Sequence, residues 1–497
     1  MIKNRFFLLI SLLYIVTMVS AQKKLFTHED LQRGGGPTSL PVLNAKWWGN
    51  TLVKTNSGEC VAYNLKAQAK VGVCSNANDI KMGDTLFTLP QVNEVLRKGS
   101  LATLKSLRGV AFPYADKPFA MFVTPARRVM LDWKDNKIIW TAERVKGASG
   151  EDWNACSRNL AYIKDDNLYV TDAEGRQLQV SVDGSRELVY GQSVHRNEWG
   201  INKGTFWSPD GMKLAYYRMD QSMVTDYPQV NIDNRIALHA PDKYPMAGMT
   251  SHEVSVGIYD VANQKTVWLD LGEKKDHYFT GIAWSPDNKL VYVTILNRDQ
   301  NHDEMWSFSA ETGQRIAKIY EENNEKYVHP EYAPIFLPWD SEKFVYQTEN
   351  EGFSHLYLFD TKGNKLKDLT DGPFVVTSVL GFCKQTKSVI VTTTEAHDLQ
   401  HNIYAVNVEN GRRVLLDNGE GVHNGVLSAD GSMVLDTWSS PAVKRQYDVL
   451  AAIKPSATSL FRPDDPWRDY AVPNITSGSI KAADGVTDLY YRLITPP

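Results

Sequence analysis

Basic runs are missing from this sequence. Lys and Arg are scattered, the formal charge is −4 and the pI is near 6.3, so no clustered positive surface exists to displace counterions from a nucleic acid. Cysteine is also scarce, at four in 497 residues, with no Cys-x-x-Cys pair and no zinc-ligand spacing, which excludes a disulfide-dense scaffold and a zinc module. Apolar runs long enough to cross a bilayer are absent after the first two dozen residues. What is plentiful is packing material, at 42% hydrophobic and 11% aromatic residues. A chain of this length and composition buries a large core and exceeds one compact sandwich.

The opening stretch, MIKNRFFLLISLLYIVTMVSAQKK, sets Lys3 and Arg5 ahead of a short apolar run that ends in small residues at Val19-Ser20-Ala21. This is the pattern of a secretory signal cut after Ala21, and it predicts a secreted, periplasmic or cell-surface mature chain without a stable membrane span, the competing reading being a retained membrane anchor. Export permits disulfides. Cys60 and Cys74 lie in GECVAYNLKAQAKVGVCS, where two valine-bearing runs could pair as a hairpin and bring the thiols together. The alternative is that Cys60, Cys74, Cys156 and Cys383 are all buried free thiols.

Repetition dominates the rest. A turn followed by an alternating strand recurs as FWSPDGMKLAYYRMD (206–220), AWSPDNKLVYVTILN (283–297), FLPWDSEKFVYQTEN (336–350) and GVLSADGSMVLDTWS (425–439). Strand, turn and return strand recur as VGIYDVANQKTVWLDLG, MWSFSAETGQRIAKIY, LYLFDTKGNKLKDLTDG and IYAVNVENGRRVLLDNG. These start at 256, 305, 356 and 403, spacings of 49, 51 and 47 residues. A weaker copy stands at 167–181. A period of about 50 residues holding about four strands is one propeller blade. The reading is therefore an all-β propeller of seven to eight four-stranded blades over residues 44–465, with a leader at 1–21, an N-terminal segment at 22–43 and a departing segment at 466–497. The Trp of WSP and the aromatics of the next strand are expected between blades as packing.

One interval breaks the period. Between Asp220 and Val256 lies QSMVTDYPQVNIDNRIALHAPDKYPMAGMTSHE, which delays the second unit of its blade and is expected to form a functional loop over one face of the ring. Two weaker patterns carry bland readings. His397 and His401 of EAHDLQH are four apart but lack the HExxH glutamate. DQNHDE (299–304) opens like a calcium loop yet has Glu304 where glycine is needed, and reads as a blade turn. No metal or cofactor is expected.

The segments FWSPDGMKLAYYRMDQSMV, KYPMAGMTSHEVSVGIYD, AWSPDNKLVYVTILNRDQN, TENEGFSHLYLFD and TTEAHDLQHNIYAV, in this order, resemble the eight-bladed propeller of the dipeptidyl peptidase IV branch of the prolyl oligopeptidase family. The resemblance implies a serine exopeptidase in which the propeller sits over an α/β-hydrolase domain. It screens peptides by size and captures the free peptide N-terminus with two adjacent glutamates. It also implies release of dipeptides ending in Pro or Ala, and homodimers are frequent in such a family. The glutamate pair falls here on Asn197-Glu198, before Trp199, so Glu198 matches one member and Asn197 replaces the other.

Two further departures stand out. The position of a family Arg that binds the substrate backbone is not Arg here. Arg127 and Arg128 are close, and are read as exposed cations at a strand edge. The last residues, SGSIKAADGVTDLYYRLITPP, resemble the entry strand of the hydrolase domain, and no Gly-x-Ser-x-Gly elbow occurs in the sequence. The expectation is a substrate-gating, N-terminus-binding propeller whose triad lies beyond Pro497, the residues given being inactive by themselves. The alternative is a non-catalytic exported propeller that binds peptides or a protein partner.

Overall fold

In the computed structural model, residues 23–30 and 39–497 are described, so the expected leader lies outside the described residues. Eight sheets follow one another along the chain: blade 1 (45–88), blade 2 (119–143), blade 3 (149–179), blade 4 (188–268), blade 5 (277–323), blade 6 (335–368), blade 7 (376–415) and blade 8 (422–461). Six are four-stranded meanders, blade 2 has three strands and blade 4 has five. The expected seven to eight blades are eight.

A lone meander has two faces and can hide neither, so each blade packs on both neighbours. The result is eight apolar clusters, one at each junction of the ring. Blades 5 and 6, for example, join through Tyr292, Met305, Ile319, Phe344, Tyr346 and Phe359. The ring closes where Leu52 and Tyr63 of blade 1 meet Leu435, Tyr447 and Phe461 of blade 8. Tryptophan repeats one device at these junctions. The indole N–H of Trp207 donates to the Asp152 carbonyl of the preceding blade at 2.9 Å, that of Trp284 to Phe206 at 2.9 Å, and that of Trp47 to Val426 of blade 8 at 2.8 Å.

The recurring Ser-x-Asp turn has a local cause. Ser208 Oγ donates to Asp210 Oδ1 at 2.6 Å and accepts from Lys213 N at 3.0 Å, and Gly211 takes the left-handed conformation at φ 71°. Blade 5 repeats it with Ser285, Asp287 and Asn288, and blade 8 with Ser428, Asp430 and Gly431. Blades 1 and 2 are bridged by a helix, Leu89–Lys98, with a capping box between Thr88 and Gln91, which buries Val92 and Leu96 on the first junction.

Two expectations need correction. Cys60 and Cys74 form no disulfide: Cys60 faces the junction of blades 1 and 2 and Cys74 the junction of blades 8 and 1, on opposite sides of one sheet. The strand bearing Cys60, Glu59–Tyr63, pairs with Met82–Thr88 rather than with the Cys74 run. Burial pushes the Cys60 thiol up to about 12. Arg128 is likewise no edge cation. It is buried and bonds Glu151 Oε2 at 2.6 Å, beside Arg144, while Arg127 pairs with Glu143 in more open surroundings.

After blade 8, the segment read as an entry strand forms a hairpin, Asn474–Lys481 against Asp488–Thr495. Both its faces are largely exposed, and Tyr490 touches the ring at His397 and Asp398. The N-terminal segment also finds a partner, with Phe26 stacked on Tyr470 at 4.6 Å and Lys24 bridged to Tyr470. His397 and His401 lie in the loop before the strand Asn402–Asn407, and residues 298–301 are a turn between strands. No helix among the described residues is long and apolar enough to cross a membrane.

Candidate functional site

Blade 4 differs from the rest at its first strand, which is broken in two. Leu188–Tyr190 pairs with Arg218–Asp220, and Thr205–Trp207 pairs with Leu214–Tyr216. The chain leaves the sheet at Gly191 and returns at Gly204, both bonded to the backbone of Tyr217. The neck is so narrow that a Cβ at Gly204 would lie 2.1 Å from the Gln192 carbonyl oxygen. Residues 191–204 therefore stand out from the sheet, and they carry Asn197 and Glu198.

The tip of this excursion is strained. His195, Arg196 and Asn197 have φ of 51°, 58° and 64°, and Trp199 has 49°. Each non-glycine residue in this region costs about 1–2 kcal/mol, so the turn persists only because its surroundings hold it. Three contacts do so. His195 is buried, with Nδ1 2.7 Å from His252 Nε2 while its Nε2 accepts the Phe279 N–H at 3.1 Å. An accepting Nε2 puts the proton on Nδ1, which donates to His252. Burial, then the neighbouring His252, hold His195 well below the usual imidazole range. Burial, then Arg298 and Arg196, lower His252 to about 4. Both rings are neutral at pH 7.

The second contact is Arg196, which pairs with Asp242 at 2.8 Å and lies over the Tyr244 ring at 5.0 Å. Asp242 and Tyr244 belong to the interval that broke the repeat. Its two short ribbons, Asp226–Tyr227 with Asp242–Lys243 and Val230–Asn231 with Leu238–His239, rise beside the excursion. The third is Trp199, which packs on Tyr278 with ring centroids 4.4 Å apart and on Leu296 and Val328, while its carbonyl accepts from Thr280 Oγ1 at 2.7 Å.

So held, Asn197 and Glu198 are exposed, and the Glu198 carboxylate has no hydrogen-bond or ion-pair partner among the described residues. Immediately beyond it, Trp199, Gly200 and Ile201 enter the wall of an open cavity of about 400 Å³. First strands of four neighbouring blades, 4 to 7, complete the wall, with Phe206, Ile282, Ile335 and Val379. Glu331 and Gln347 are among its polar groups.

The sequence singled out Glu198 and Asn197 and passed over His195 and His252, which hold the turn, and Glu331, which lines the cavity. The paired glycines at 191 and 204, flanking a polar stretch ahead of WSP, were the signal that a strand is interrupted there. Arg127 and Arg128 are on blade 2 and are not among the residues lining this cavity. Elsewhere His302, Glu304 and Glu321 place ligand atoms within 4.8 Å of one another, as a metal would require. The Lys318 ammonium already pairs with both carboxylates, which makes the cluster an ion-pair network.

An eight-bladed ring with an open cavity at the first strands of blades 4 to 7, beside a clamped excursion whose carboxylate has no partner among the described residues, defines a β-propeller with an accessible site. The chain belongs to the family of the dipeptidyl peptidase IV (DPP IV) N-terminal region, whose model matches residues 122–445. A crystal structure from Bacteroides ovatus, provisionally assigned as a dipeptidyl aminopeptidase IV, superposes with a TM-score of 0.86. It is 38% identical and covers 95% of this chain and 67% of that one. The Porphyromonas gingivalis dipeptidyl peptidase 4 structure shares the fold at a TM-score of 0.76 and 21% identity, over 95% of this chain and 67% of its own. Dipeptidyl peptidase 4 of Arthroderma otae is 24% identical over 355 residues, 67% of this chain and 45% of the relative. The chain thus spans about half the length of such curated relatives.

Proposed function

We propose that this ring is the substrate-gating and N-terminus-binding part of an exported serine-type dipeptidyl peptidase that releases dipeptides ending in Pro or Ala. The observation that carries the reading is the Glu198 carboxylate, without a partner among the described residues and held on a strained turn beside the cavity. A carboxylate left without a partner is suited to a cation that arrives with the ligand, and the α-ammonium of a peptide makes a charge-assisted contact there. The apolar wall next to it, from Trp199 to Ile201, takes the first side chains, and the bore of the ring excludes folded chains. Acyl transfer needs a nucleophile and an oxyanion hole, and these belong to a hydrolase domain of the whole protein.

The test uses a protein with a family hydrolase domain after Pro497. Glu198→Ala is expected to raise KM and to lower kcat/KM for Ala-Pro and Gly-Pro substrates by about 1.5–3 kcal/mol, the worth of a charge-assisted hydrogen bond. N-acetylated substrates should be nearly unaffected. Equal losses on both substrate types, or none, would remove Glu198 from this role. Export is checked separately, by finding Gln22 at the N-terminus of protein recovered outside the cytoplasm.

A further inference from the structure

The turn that carries Glu198 does not stand alone at the cavity. A Cβ at Gly200 would lie 2.3 Å from the Glu331 carbonyl oxygen, so the excursion of blade 4 touches the backbone of the segment joining blades 5 and 6. Val328 of that segment packs on Trp199, the residue after Glu198. Trp199, Gly200, Glu331 and Tyr332 line one cavity.

The charge at this contact is one-sided. The Glu331 carboxylate is exposed and, among the described residues, pairs with His329 alone, at 3.2 Å from Nε2, and the other ring nitrogen of His329 is 3.7 Å from Glu349. No Lys or Arg pairs with Glu331, Glu349 or Glu198 among the described residues, and the nearby Arg196 is committed to Asp242. One imidazole between two carboxylates leaves net negative charge, even when protonated. Glu331 lines the same cavity as Trp199 and Gly200, beside the excursion in which position 197 supplies an amide instead of a carboxylate.

Resting on the N-terminus-binding reading above, we propose that Glu331 is the second carboxylate of the ammonium clamp and that it takes over from across the blade junction the charge missing at Asn197. The peptide α-ammonium is held between Glu198 on the blade 4 excursion and Glu331 on the blade 5–6 connection. His329 is a positioning residue that fixes the Glu331 side chain and links it to Glu349.

The experiment measures calorimetric binding of the tetrapeptide Ala-Pro-Ala-Phe and its N-acetyl form to the chain, with Glu331→Gln, Glu198→Gln and the double variant, each checked by circular dichroism for an unchanged fold. Gln keeps the size of Glu and removes only the charge. Each single variant is expected to weaken the free-amine peptide about tenfold or more and to leave the acetylated peptide within about twofold. The double variant should bind both peptides alike. If Glu198→Gln loses the free-amine preference and Glu331→Gln keeps it, the clamp has one carboxylate and this inference is wrong while the N-terminus-binding reading stands. If Glu331→Gln weakens both peptides equally, Glu331 is structural and the inference is again wrong. If the unaltered chain shows no preference for the free amine, both fall.

Discussion

The junctions between blades and the excursion at 191–204 are built on opposite terms. A junction such as that of blades 5 and 6 is apolar and close-packed, with Phe344 stacked on Phe359 at 5.7 Å in ordinary strand conformations. The excursion holds three consecutive left-handed residues, a buried imidazole pair and a carboxylate without a partner. The first arrangement recurs eight times with different residues, because any well-filled apolar face closes the ring. The second occurs once, and its strain is sustained by contacts drawn from blade 5 and from the 221–255 interval. Stability is thus spread over the ring, while the special chemistry is concentrated at a point the ring can support.

The largest effect should come from a junction. Phe344→Ala removes a side chain that is 1% exposed and should cost about 3–5 kcal/mol in urea unfolding. A loss below about 1 kcal/mol would mean that the junctions are loosely packed and the contrast is false.

The imidazole pair sets the next. The depressed value of His252 means that, as pH falls below 6.5, the unfolded chain takes up a proton that the folded chain refuses until about pH 4. Stability should therefore be full above pH 6.5 and fall by about 3 kcal/mol on the way to pH 4 on account of this group. Other buried groups titrate as well. Asp303 is pushed up to about 8 by burial and Glu322, and acts in the opposite direction. The informative quantity is thus the difference between the parent and His252→Gln, whose amide still accepts from His195. That difference should change between pH 6.5 and 4 and be flat above pH 7. A constant difference would detach the pair from acid sensitivity.

Position 197 sharpens the comparison further. Asn tolerates a φ of 64° better than Glu does, so Asn197→Glu should lower stability by about 1 kcal/mol. It should at the same time strengthen the preference for free-amine peptides, as the bound cation relieves the repulsion with Glu198. Asn197→Gly should be neutral or slightly stabilising. If Asn197→Glu leaves thermal unfolding unchanged, the left-handed turn is not held as described.

The smallest effect is expected at the exposed hairpin. Deleting residues 474–497 removes two largely exposed strands that meet the ring at Tyr490, and should change ring stability by no more than about 0.5 kcal/mol. A larger drop would make the hairpin part of the ring's closure.

Much of the ring was legible in the chain. The Ser-x-Asp turns, the alternating strands and the period near 50 residues are local features: each turn is closed by side chains two to five residues apart, and a meander pairs neighbours in sequence. Glu198 was singled out only through the family resemblance, by its place before Trp199 and ahead of WSP. The Cys60–Cys74 pairing failed because a hairpin guess cannot tell which face of a sheet a residue occupies when the partner strand is a different one. Arg128 was misjudged for a related reason, since its partner Glu151 comes from the next blade.

The sequence by itself determined an all-β ring of repeated blades, because turn chemistry and strand alternation act over a few residues. It also marked blade 4 as the place where the repeat is disturbed. Only the tertiary structure decided how the disturbance is used. His195 meets His252 across 57 residues, Arg196 meets Asp242 across 46, and Gly200 meets Glu331 across a blade junction. Such contacts follow from ring closure, which brings distant segments to one axis, and no local pattern in the chain encodes which of them will face one another there.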